Sequence, residues 1–174
     1  MPLNSPAVNG LSVVESTQGL WFEWLSGYFD GGTHTLGGSG VAFPSAHLAF
    51  DQSDALPQPL SGVGISVVAA SRGGRDYLDD DPTLGKGKLA FDEITWTFYV
   101  RAQVADTGAG NSAYQCRRAA DLLNGLLRNS AATIALHAKG ITDLKARAPQ
   151  VVSDGLFALR VVTVRGRLQY SITF

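Results

Sequence analysis

Residues 159–174 carry the pattern that most constrains this chain. From Arg160 onward the even positions read Val162, Val164, Gly166, Leu168, Tyr170, Ile172 and Phe174. The odd positions read Thr163, Arg165, Arg167, Gln169, Ser171 and Thr173. Alternation with a period of two places one set on each face of a β-strand. One face is apolar, and the other carries two arginines among neutral polar groups. At about 3.3 Å per residue, ~15 residues span roughly 50 Å, whereas an ordinary strand has ~5–6 residues. A strand of this length is expected either to bend, at Gly166, or to reach beyond its own domain to a neighbour. Both readings point toward an assembly subunit rather than a small monomeric enzyme.

A second alternating run occupies residues 89–105, with Ile94, Trp96, Phe98 and Val100 on one face and Thr95, Thr97, Tyr99 and Arg101 on the other. Residues 63–70 (VGISVVAA) form a continuous apolar run that reads as a buried strand. Two helices are expected. The first spans residues 13–28, where Ser12 and Glu15 have capping-box spacing and Val14, Trp21, Leu25 and Phe29 recur at helical intervals. The second runs from Ser112 to about Asn129, with Cys116, Ala119, Ala120, Leu123, Leu126 and Leu127 on one face. Residues 30–40 are a glycine-rich loop. Residues 41–50 read as an irregular or edge strand because of Pro44, and residues 52–62 as a turn region. Residues 133–136 and 151–159 read as two further strands around a loop at Pro149. Helix, strands, helix, strands in that order predicts an α+β domain, a mainly antiparallel sheet with helices packed on one face.

Residues 71–88 (SRGGRDYLDDDPTLGKGK) show no apolar periodicity and lie between two strands. They are expected to be the tip of a long β-hairpin that orders against a neighbouring subunit. The loop holds Arg72, Arg75, Asp79, Asp80, Asp81, Lys86 and Lys88. Three successive aspartates could attract a hard cation, but the spacing is not that of a calcium loop, so a solvated or partner-facing acidic segment is expected instead. Gly85-Lys86-Gly87-Lys88 lacks the remainder of a phosphate-binding loop. His34, His47 and His137 are too scattered for a local metal motif, and residues 37–41 lack the closing glycine of a nucleophile elbow. No catalytic, cofactor or metal site is expected.

The chain has 174 residues, enough for one domain over 1–174 with residues 1–10 as a flexible lead-in. Charged residues make up 17%, low against a typical ~25%. Either part of the surface is hidden in partners, or 20 glycines dilute the charge. The charge is unevenly spread. Residues 1–92 hold 4 Lys+Arg and 10 Asp+Glu, a net of −6, and residues 93–174 hold 10 and 5, a net of +5, which sum to the overall −1. Opposite-sign halves suit head-to-tail contacts between identical subunits. No basic run argues for dedicated nucleic-acid recognition. The single cysteine, Cys116, permits no internal disulfide, which fits synthesis in a reducing compartment. Neither a signal peptide nor a membrane span is expected.

Residues 96–101 (WTFYVR), 116–123 (CRRAADLL), 155–157 (GLF) and 160–165 (RVVTVR) follow the order of a strand ending in arginine, a turn, an alanine-rich helix ending in paired leucines, and closing strands. In this the chain resembles the tail terminator, or tail completion, proteins of long-tailed bacteriophages. The likeness covers residues 94–174, and the opening helix also fits. The resemblance implies a homohexameric ring that caps the tail tube, stops its growth, presents a surface to the head-side connector protein, and lets genomic DNA through its lumen without sequence-specific binding. It implies no catalysed reaction, no membrane, and a place in the neck of the virion after assembly in the host cytoplasm. On this reading the subunit and partner contacts fall to Arg72, Arg75, Asp79, Asp80, Asp81, Lys86, Lys88, Arg101, Arg165 and Arg167. The alternatives are another neck or tail component (a head-closure, tail-tube or baseplate subunit) and a small ligand-binding or enzymatic α+β domain.

Overall fold

The computed structural model describes residues 3–4, 13–29, 33–36, 39–42, 47–49, 63–80, 88–103, 112–154 and 157–172. The elements run β1 (Leu3–Asn4), α1 (Val13–Phe29), β2 (Thr33–Leu36), β3 (Ser39–Ala42), β4 (His47–Ala49), β5 (Val63–Asp80), β6 (Lys88–Gln103), α2 (Ser112–Arg128), α3 (Ser130–Ala138), β7 (Ile141–Ala146), β8 (Gln150–Asp154) and β9 (Phe157–Ile172). The fold is α+β with a mainly antiparallel sheet. Its frame is β5, β6 and β9, strands of 18, 16 and 16 residues. β6 lies between the other two, antiparallel to both.

The alternation of β6 and β9 is realised as expected. Ile94, Trp96, Phe98 and Val100 are buried, as are Val162, Val164 and Leu168. Val63, Ile65 and Val67 share that face on β5, opposite Ala102, Val100 and Phe98. Helix α1 lays Trp21, Trp24, Leu25 and Phe29 onto this apolar face. The Trp21 ring meets Trp96 and Phe98 edge-on, at centroid distances of 5.4 and 5.1 Å. The indole N–H of Trp96 donates to Thr17 Oγ1 at 2.9 Å, and that of Trp24 to the Ala132 carbonyl at 2.8 Å. The small residues Cys116, Ala119 and Ala120 let α2 approach the sheet closely.

Cys116 is fully buried, and its Sγ donates to the Val100 carbonyl at 3.0 Å. Burial pushes its thiol up from an ordinary 9.0 to about 11, against a smaller lowering by the Arg160 guanidinium and backbone. The neutral thiol is therefore the form the fold stabilises. That contribution is complete below pH ~9 and is lost as pH climbs through ~11. Relative to a Cys116→Ala chain, the parent is expected to lose roughly 2–3 kcal/mol of stability across that window. Urea titrations of both chains at pH 8 and above check this, and parallel curves would contradict it.

Residues 71–80 and Lys88 depart from the expected loop, while residues 81–87 lie outside the described residues. Residues 71–80 continue β5, and β6 already begins at Lys88, so the hairpin arms pair almost to the tip. Backbone pairing needs no apolar alternation, which is why the sequence pattern did not reveal these arms. Their irregularity appears instead as two register shifts, between Ser71 and Arg75 and between Tyr77 and Asp80.

A second correction concerns residues 133–136, which belong to helix α3 and not to a strand. A short apolar run is ambiguous by periodicity alone, and here a cap decides. Asn129 breaks from helical geometry at φ −92°, ψ 116°, and its side-chain oxygen accepts from the N–H groups of Ala131 and Ala132 at 2.9 and 3.4 Å. It thereby separates α2 from α3 and starts the latter. Residues 151–159 form no single strand either, because β8 ends at Asp154 and β9 starts at Phe157, the two pairing back on each other. Residues 41–50 are divided between β3, which pairs with β2, and β4, which lies parallel to β5. The turn region placed at 52–62 lies outside the described residues.

Gly166 is not a bend in the ladder with β6, whose register runs unbroken from Lys88↔Ile172 to Gln103↔Phe157. The irregularity sits on the neighbouring strand. Between Thr142↔Arg167 and Lys145↔Arg165, β7 places two residues, Asp143 and Leu144, against Gly166 alone. This is a β-bulge, with Asp143 at φ 53°. A Cβ at position 166 would lie 2.8 Å from the Thr142 carbonyl oxygen and 3.0 Å from both Leu144 and Trp96. The glycine therefore makes room for the bulge and the indole.

Candidate functional site

On the sheet face away from the helices, the odd residues of β6 and β9 meet. The pairs are Phe91↔Gln169, Glu93↔Arg167, Thr95↔Arg165 and Thr97↔Thr163. Strand β7 adds Thr142 beside Arg167 and Lys145 beside Arg165. The bulge carries Asp143 to the same place. These strands frame a concavity of about 370 Å³ lined by Glu93, Ile94, Asp143, Lys145, Arg165, Gly166 and Arg167.

Arg167 organises the concavity. One guanidinium nitrogen lies 3.3 Å from the Asp143 carboxylate, another lies 3.9 Å from Glu93, and the group sits 5.0 Å from the centre of the Phe91 ring. The side chain thus ties β6, β9 and β7 together. All three ion-pair partners are about half exposed, so each pair adds at most ~1 kcal/mol. Lys145, Arg165 and Arg167 against Glu93 and Asp143 give the concavity a net charge of 3 − 2 = +1. Its lining holds no nucleophile paired with a base. Its lining is a mixed polar patch of three cations and two carboxylates, with Arg167 ion-paired to both carboxylates.

The sequence candidates do not converge on one site. Arg165 and Arg167 line the concavity. Arg101 lies on the same face toward the other end of β6, its guanidinium 5.9 Å from the centre of the Tyr99 ring. Six residues separate Arg101 from Thr95, roughly 20 Å along the strand. Arg72, Arg75, Asp79 and Asp80 fall on the distal arm of β5, and Lys88 opens β6 opposite Asp80. Asp81 and Lys86 lie outside the described residues.

Glu93, Asp143 and Lys145 were not foreseen. Glu93 shares the odd alternation of Thr95 and Thr97, so its face was readable. Asp143 and Lys145 depend on the β7 bulge, which no local pattern signals.

His34, His47 and His137 stand on β2, β4 and α3. Among the described residues no three His, Cys, Asp or Glu side chains group closely enough to hold a metal ion. Among the same residues no helix is long and apolar enough to cross a membrane. A second, more apolar groove of about 510 Å³ separates α1 from α3, with Trp24, Tyr28, Ile134 and Leu136 in its walls.

No protein-family model matches the sequence, and no curated protein matches it significantly.

Proposed function

We propose that this chain is a structural subunit of the neck of a long-tailed bacteriophage. In this reading it is a tail terminator, whose ring caps the tail tube, joins it to the head-side connector and passes genomic DNA through its lumen. The observation that carries the reading is the three-stranded frame. Its ladder continues six residues from Ile94 to Lys88, roughly 20 Å. Strands of 16 to 18 residues paired along so much of their length offer long edges of the kind that contacts with other subunits use. The order of strand, alanine-rich helix and closing strands that underlies the likeness to tail terminators supports the same reading, as do the opposite charges of the two halves. The cation-rich concavity around Arg165 and Arg167 supplies a polar contact surface on the face the helices leave open.

The test is to add the purified chain to polymerising tail-tube protein and to follow mass by light scattering and tube length by electron microscopy. The expected result is a ring of about six copies, alone or on tube ends, with tubes that stop growing. Open-ended polymers of the chain by itself would assign it to the tube. A monomer with no effect on tube growth would remove the proposal.

A further inference from the structure

We infer that copies of this chain join head to tail, the acidic end of the β5–β6 hairpin of one copy docking on the outer face of helix α2 of the next. This deepens the ring reading above by naming the receiving surface. It rests on the self-association that reading requires, not on the tail tube.

The outer face of α2 is basic and carries an aromatic anchor. The helix holds Arg117, Arg118 and Arg128 against Asp121, a net of +2. Its buried stripe packs on the sheet through Cys116, Ala119, Ala120, Leu123 and Leu127. On the opposite side the Arg117 and Asp121 side chains are 67% and 51% exposed, and Tyr114 is 55% exposed. The Arg118 guanidinium lies 5.1 Å from the centre of the Tyr114 ring. A guanidinium held on an aromatic ring is already oriented when a carboxylate arrives, and its planar fork takes both carboxylate oxygens. Tyrosine and arginine are also the residues in which interface centres are enriched. Arg117 lies 3.7 Å from Asp121. Between two exposed groups that pairing is weak, and it leaves the arginine able to take a second carboxylate.

The hairpin supplies the complementary charge. Arg75 stands opposite Asp92, so the two charges offset one another. Beyond that pair, residues 76–91 hold Asp76, Asp79, Asp80 and Asp81 against Lys86 and Lys88, a net of −2.

One copy cannot bring these two surfaces together by itself. The Cys116 thiol donates to the Val100 carbonyl at 3.0 Å, which sets the start of α2 beside Val100. Val100 stands twelve residues along β6 from Lys88, roughly 40 Å. At the other end of α2, Arg128 donates to the Ala146 carbonyl. Ala146 is level with Val164, and Val164 with Trp96. Trp96 is still eight residues from Lys88, roughly 26 Å. Unlike surfaces at opposite ends of one subunit make heterologous contacts, which close as rings or run on as filaments. Charge chooses the same pairing, because hairpin on hairpin or helix on helix would set like charges together. A nucleic-acid backbone is a poorer occupant, since Asp121 sits between Arg117 and Arg128 on one stripe of the helix and would face its phosphates.

Charge exchange tests this. The helix variant carries Arg117→Asp and Arg118→Asp, and the hairpin variant carries Asp76→Lys and Asp79→Lys. Each alone is expected to weaken self-association by about tenfold or more in light scattering, with a far-ultraviolet circular dichroism spectrum like that of the parent. Mixing the two variants one to one is expected to restore association to within about threefold of the parent. In the mixture the acidic helix of one variant meets the basic hairpin of the other, and the two unaltered surfaces meet in turn. Full association by either variant alone, or no recovery in the mixture, would overturn the inference. A second measurement leaves the hairpin untouched. The Arg118→Lys chain, treated with a water-soluble carbodiimide, is expected to form an intermolecular amide between position 118 and Asp76, Asp79, Asp80 or Asp81, read by mass spectrometry. Multimers linked elsewhere but never at position 118 would overturn the inference. So would a parent chain that stays monomeric, with or without duplex DNA bound through Arg117 and Arg118. Recovery in the mixture by chains that leave tube growth untouched would support the docking and remove the tail assignment alone.

Discussion

Replacing Trp96 by alanine is expected to cost about 3–5 kcal/mol, the usual range for truncating a fully buried aromatic side chain. The indole is completely buried at the centre of β6. It meets Trp21 of α1 edge-on at 5.4 Å, bonds Thr17 of the same helix through its N–H, and closes against Gly166 of β9. One side chain therefore fastens the first helix to two strands of the frame. Trp96→Phe keeps most of the ring and loses the hydrogen bond, so its cost should be nearer ~1–2 kcal/mol. Urea denaturation followed by far-ultraviolet circular dichroism measures both. A Trp96→Ala chain within 1 kcal/mol of the parent would mean that α1 is not held to the sheet by this contact.

Gly140→Ala is expected to be nearly as damaging, at about 2–5 kcal/mol, from left-handed backbone strain together with a steric clash. Gly140 has φ +93°. It terminates α3 by donating its N–H to the His137 carbonyl at 3.0 Å, a common way to end a helix. Its carbonyl then accepts from Gln169 N–H at 2.8 Å. A Cβ at this position would be driven into the Gln169 carbonyl oxygen. The backbone of β9 cannot retreat, because Gln169 is paired with Phe91 on its other side. At ~2–4 °C per kcal/mol for a chain of this size, the melting temperature should fall by roughly 5–20 °C. A melting temperature within 2 °C of the parent would contradict the strained, close-packed junction described here.

The two predictions differ in how far the sequence announced them. Trp96 was readable, because its alternation with Ile94, Phe98 and Val100 marks a buried face whatever lies across from it. Gly140 was not. Nothing in the run from Ile134 to Thr142 says that a helix ends there or that β9 passes at contact distance. The α3 helix is hidden from the sequence for a related reason. Its apolar run is too short for periodicity to separate helix from strand, and the deciding group, the Asn129 side chain, acts through a cap that depends on where the preceding helix stops. The distal hairpin extends further as paired strand than the sequence pattern indicates. Its glycines, arginines and aspartates carry no face pattern, yet the backbones of β5 and β6 go on pairing.

The candidate site divides in the same way. Arg165 and Arg167 were legible as neighbours on one face of a strand. Their partners were not, because Glu93 lies more than seventy residues before Arg167 and Asp143 reaches it only through a bulge. Residue order along the chain is enough for what is local and periodic: the apolar and polar faces of β6 and β9, the buried stripes of α1 and α2, and the α+β class. Which polar groups meet and which strands lie side by side follows only from the tertiary structure, because strand order and register are set by pairing between distant segments. A shift of one residue in that register would send every side chain to the other face.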